Sequence, residues 1–164
     1  VYTMEWLNHA SEEQFTDALG EIFEKSSWVA REAAAVRPFP SKLALYEYMV
    51  AIVRKSDNDC KLKLINNHPN LGDRVQMSGY STNEQQQAGL QGLTEDEYNL
   101  FLQANEQYMK KFGYPFILAV RGKNKQEIYE AMIARLKQDP RSEFQTALKQ
   151  IYQIAKFRIE ERII

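Results

Sequence analysis

The sequence predicts an all-α fold, a single compact multi-helix domain over residues 1–164 with one short extended segment near 114–121. Three observations lead there. Punctuation is sparse, with 7 Gly and 5 Pro among 164 residues, so few stretches are forced out of a helix. The apolar residues between these breaks recur at three- and four-residue spacing instead of alternating. Several segments open with a Ser or Thr followed three residues later by Glu or Gln. In that capping box each side chain satisfies the other residue's backbone N–H at a helix start. Together these give roughly seven to nine helices.

The elements follow in order along the chain. Ser11 with Gln14 opens a helix that carries Phe15, Ala18, Leu19, Ile22 and Phe23 on one stripe. "WVAREAAAV" is a short helix closed by "RPFP", because a residue before proline avoids helical geometry. Ser41 caps the next, with Leu45, Tyr48, Met49, Ile52 and Val53 on one face. Asp57 starts another that ends near Asn66, and Pro69 to Tyr80 has no period and reads as a loop. Ser81 with Glu84 and Thr94 with Glu97 are further capping boxes. The second begins a long helix with Tyr98, Phe101, Leu102, Asn105, Tyr108 and Phe112 in register. "FGYPFILAVRG" interrupts the pattern and "NKQEIYEAMIARLKQD" resumes it. The last helix, after Pro140, aligns Phe144, Ala147, Leu148, Ile151, Ala155 and Ile159.

Composition excludes several classes. A formal net charge of -1 gives no electrostatic grip on nucleic acid or an anionic membrane. No apolar run approaches the ~20 residues that span a bilayer. "VYTMEWLNHA" lacks the basic start and apolar core of a signal peptide, and "RIEERII" is no peroxisomal address. The single cysteine, Cys60, has no partner for an internal disulfide, which suits a reducing compartment, and it reads as a small packed residue. The expected location is the cytoplasm.

Four places break the helical pattern. In "INNHPNLGDR", Pro69 pushes His68 toward extended geometry at a helix end. Its ring either caps the last carbonyls of that helix or serves as an acid or base at a pocket rim. A metal site is not expected, since His9 is the only other histidine and neither has a carboxylate or thiol at ligand spacing. In "STNEQQQAGL", a helix start at Ser81 presents free N–H groups and a positive dipole end, which attract anions. Phe116 to Val120 is an unbroken apolar run, and buried extended backbone leaves N–H and C=O groups that need partners. Arg158 falls on the apolar stripe of the last helix, where a guanidinium pairs with a structural carboxylate or with an anionic substrate. Arg121 is a second anion-binding candidate.

"HPNLG", "STNEQ…AGL", "FGYPFILAVRG" and "ALKQIYQIAKFRI", in this order and spacing, resemble the signature blocks of the OHCU decarboxylase family. OHCU is 2-oxo-4-hydroxy-4-carboxy-5-ureidoimidazoline, the last intermediate between urate and (S)-allantoin. The resemblance runs from about Trp6 to the end of the chain. It implies an all-helical homodimer that decarboxylates OHCU with no cofactor. It places the catalytic histidine at His68, with Glu84 as its catalytic partner. Substrate-binding positions fall on Pro69, on Ser81, Thr82, Asn83, Glu84 and Gln85, and on Phe116, Ile117, Leu118, Ala119 and Val120. Arg121 and Arg158 match less firmly. One departure stands out: the commoner motif has Asp where Asn70 stands, so a turn-former is kept but a charge is lost. Two other readings stay open, a non-catalytic helical binding module and a relative acting on another ureido acid.

Overall fold

A computed structural model of the chain describes residues 1–74, 90 and 92–164. Among the described residues the chain is helical with no strand. The helices are α1 (Met4–His9), α2 (Glu12–Leu19), α3 (Ser27–Ala34), α4 (Lys42–Lys55), α5 (Asn58–Asn67), α6 (Leu71–Arg74), α7 (Glu95–Phe112), α8 (Lys125–Leu136) and α9 (Pro140–Arg162). The described residues fall into two compact units, Val1–His68 with Ile151–Ile164, and Pro69–Gln150. Helix α9 contributes its first turns to the second unit and the remainder to the first.

Local sequence sets most helix starts. The side-chain oxygens of Ser11, Ser41, Asp57 and Thr94 each accept an N–H three residues on, and full capping boxes form at Ser11–Gln14 and Thr94–Glu97. Asn124 with Glu127 makes a third at the start of α8. Helix α7 ends where Gly113 takes φ 79°, a left-handed conformation that a Cβ would strain. The Gly113 N–H then donates to the Met109 carbonyl at 2.8 Å.

In the first unit, α3 packs against α2 and α4. Phe15, Leu19, Val29, Leu45, Met49 and Leu64 are buried there. The two ends of the chain meet in a parallel bridge, with the Tyr2 N–H donating to the Arg162 carbonyl at 2.7 Å and the Ile164 N–H to that of Tyr2 at 2.9 Å. In the second unit α7 packs on α8 and on α6, around Phe101, Ala104, Tyr108, Ile128 and Met132.

Four details differ from the sequence reading. Met4–His9 is a helix, its start capped by Thr3. Helix α2 stops at Leu19 and not beyond Phe23: the chain turns after Gly20, Lys25 takes φ 47°, and the turns themselves bury Ile22 and Phe23. The expected loop after Pro69 contains the single-turn α6, too short to show a period. Cys60 is exposed and not packed: it stands in the first turn of α5, and the buried residues of that helix, Leu64 and Ile65, come only in its later turns.

Candidate active site

His68 is the C-cap residue of α5, extended at φ -74° and ψ 145°, as Pro69 requires. Its N–H donates to the Ile65 carbonyl at 3.2 Å, and its ring Nδ1 lies 2.9 Å from the Leu64 carbonyl oxygen. A carbonyl oxygen only accepts, so Nδ1 carries the hydrogen and Nε2 is the basic nitrogen of the neutral ring. The side chain is buried, with the residue 7% exposed. Capping and acid–base chemistry are therefore not alternatives here. The cap through Nδ1 fixes the tautomer and the ring plane. Arg158, in the same unit, donates from Nη2 to Glu24 Oε2 at 2.7 Å and from Nη1 to the Glu21 carbonyl at 2.8 Å.

In the second unit, Pro69 is exposed and leads into Asn70. Asn70 Oδ1 accepts from the Gly72 N–H at 2.9 Å and from Asn105 Nδ2 at 2.7 Å, while Asn70 Nδ2 donates to Met109 Sδ at 2.9 Å. The residue thus caps α6 and ties it to α7. Gly72 suits this approach, because a Cβ there would stand 2.9 Å from Asn105 Nδ2. Both strong bonds use the oxygen that Asn and Asp share. Asn70→Asp is therefore expected to shift stability by no more than about 1 kcal/mol and to leave turnover intact. Asn70→Ala strands the buried Asn105 amide and is expected to cost about 1–3 kcal/mol, with thermal melting of both variants as the check.

Phe116, Ile117, Leu118 and Ala119 are buried, and Phe116–Val120 is neither helix nor strand, as the apolar run predicts. Arg121 follows, exposed on a turn. The segment rests on a buried polar cluster. Glu143, with no exposed surface, accepts from Arg135 Nε at 2.9 Å on Oε1, and on Oε2 from Arg135 Nη2 at 2.8 Å and the Tyr108 hydroxyl at 2.6 Å. Burial first, and the bond to Glu143 second, push the Tyr108 phenol far above its usual range, so it remains a donor. Arg135 also donates through Nη1 to the Ile117 carbonyl, and its guanidinium lies 4.4 Å from the Phe116 ring centroid.

Sequence reasoning missed this cluster. Its signal was present: Arg135 shares the stripe of Ile128 and Met132, and Glu143 that of Ala147 and Ile151. The segment with Ser81, Thr82, Asn83, Glu84 and Gln85 lies outside the described residues. Among the described residues no group of His, Cys, Asp and Glu side chains is arranged to hold a metal ion. No described helix is long and apolar enough to cross a membrane.

Comparison with known proteins bears on what this arrangement serves. The OHCU decarboxylase family model matches residues 8–160. The chain is 48% identical over 163 residues to the uric acid degradation bifunctional protein PucL of Bacillus subtilis, covering 99% of this chain but 33% of that protein. So it spans about a third of the length of that relative. It is 40% identical to the 2-oxo-4-hydroxy-4-carboxy-5-ureidoimidazoline decarboxylase of Halalkalicoccus jeotgali, over 97% of this chain and 90% of that one. A crystal structure of (S)-allantoin synthase superposes with a TM-score of 0.80 at 32% identity, covering 98% of this chain and 54% of that chain. With the match running from α1 to the last turn of α9, the chain belongs to the OHCU decarboxylase family.

Proposed function

We propose that this chain decarboxylates OHCU to (S)-allantoin and CO2 without a cofactor, closing the route from urate. The observation that carries the reading is the His68 geometry within a chain of this family: a buried imidazole held by Nδ1, with Nε2 as its base. The chemistry is self-contained. When the bond from the ring carbon to the carboxylate breaks, its electron pair moves into the adjacent C=N bond of the substrate ring, so the sink that pyridoxal or thiamine usually supplies is internal. The ring nitrogen that receives the C=N pair takes up a proton, and the resulting enol loses its hydroxyl proton and gains one at the carbon bearing the ureido group, which gives a ring amide carbonyl of allantoin. Overall one proton is taken up for each carboxylate lost as CO2.

The tasks left to the protein are orientation and proton transfer. His68 Nε2 takes the proton from the substrate hydroxyl and helps deliver one to carbon. Glu84 bonds the hydroxyl or ureido group and orients His68. Pro69 keeps the His68 backbone extended at the end of α5 and lines the substrate. The helix start from Ser81 through Gln85 and the backbone of Phe116–Val120 read the amide edges of the ring. Arg121 and Arg158 are the anion partners, which for Arg158 means exchanging Glu24 for the substrate carboxylate. The reading extends to residues 1–164 acting as one catalytic domain in a cytoplasmic homodimer.

The test uses freshly generated OHCU. The expected result is loss of OHCU well above the spontaneous rate, with allantoin rotating as the S enantiomer. Decay no faster than in buffer, or racemic allantoin, sinks the proposal.

A further inference from the structure

The segment Phe116–Val120 is gripped by two side chains on either side of one residue. Arg135 donates to the Ile117 carbonyl, and Gln150 Oε1 accepts from the Ala119 N–H at 2.9 Å. Between them lies Leu118. It is buried, yet among the described residues neither its N–H nor its C=O has a hydrogen-bond partner. Buried backbone groups nearly always find partners. In extended backbone the N–H and C=O of one residue point to the same side, and those of its two neighbours point to the other. A grip on the Ile117 carbonyl and the Ala119 amide therefore turns the Leu118 pair away from the clamp.

We propose that Arg135 and Gln150 are positioning residues that present the Leu118 N–H and C=O as an adjacent donor and acceptor for the ureido or cyclic-amide edge of the substrate. This rests on the decarboxylase reading above. A ureido edge offers the complementary acceptor and donor at matching spacing, so recognition is by backbone, and the clamp sets its register. Arg135 is itself fixed by Glu143, which makes its half of the clamp rigid. Gln150, half-buried on α9, supplies the other half with a single oxygen.

That difference selects the experiment. Gln150→Met removes the acceptor with little change in volume, whereas Gln150→Glu keeps an oxygen in place. Steady-state decarboxylation of OHCU is measured for both and for the wild type, with hydrogen exchange at the Ala119 amide. Gln150→Met is expected to raise KM by about 3- to 10-fold with kcat within about 2-fold, the signature of lost binding shared by ground and transition states. Its Ala119 amide exchanges faster, while Gln150→Glu restores both the protection and the KM. An unchanged KM in folded Gln150→Met overturns the clamp and leaves the decarboxylase reading standing. So does an equal loss of kcat in both variants at constant KM, which marks a merely structural residue. A wild type with no turnover overturns the reading and this assignment with it.

Discussion

His68→Asn is expected to lower kcat/KM for OHCU by about 100- to 10,000-fold while the protein stays folded, the span usual for losing a general acid or base. Asparagine is the informative replacement because its amide nitrogen sits close to where Nδ1 stands. It can still donate to the Leu64 carbonyl, now bonded at 2.9 Å, so the end of α5 remains satisfied. What disappears is Nε2. His68→Ala removes both functions and is expected to melt lower as well, by about 1 kcal/mol for the lost cap. Activity lost in both variants, with stability lost mainly in His68→Ala, separates the chemistry of the ring from its capping. Wild-type turnover in folded His68→Asn would show that the imidazole is only a cap.

How much of this was legible in the sequence depended on range. Caps were legible because they are written within four residues. Ser11, Ser41, Asp57 and Thr94 all hold the N–H groups that their spacing predicts, and Gly113 ends α7 in the conformation that glycine favours. His68 was legible as a break because proline dictates the geometry before it. The end of α2 was not, since Ile22 and Phe23 keep helical spacing while the chain already turns, and burial alone does not say which route buries them. Helix α6 was hidden because one turn has no period and its cap is Asn70, which draws its second support from Asn105, 35 residues away. The least legible feature was the support of the extended segment. Its apolar run foretold buried backbone in need of partners. It did not say that Arg135 and Gln150 supply them, because those contacts are fixed by how α8 and α9 pack.

Arg135→Met is expected to be the most destabilising single change in the second unit, costing about 3–5 kcal/mol, because it strands a buried carboxylate. Glu143 has no exposed surface and takes three of its four hydrogen bonds from Arg135. Without the guanidinium only the Tyr108 hydroxyl remains, and one neutral donor does not offset the lost hydration of a full charge. At this chain length the loss amounts to roughly 6–20 °C in melting temperature. The cause can be isolated by adding Glu143→Leu. If the stranded charge dominates, the double variant regains stability over Arg135→Met, since an apolar pair of similar volume often replaces a buried ion pair at little cost. The recovery is expected to be incomplete, because the Tyr108 hydroxyl and the Ile117 carbonyl then lack partners at about 1–3 kcal/mol each. Adding Tyr108→Phe removes the first of these orphans and raises the melting point again. A double variant no more stable than Arg135→Met would show that the loss lies in packing against Phe116 and not in the charge.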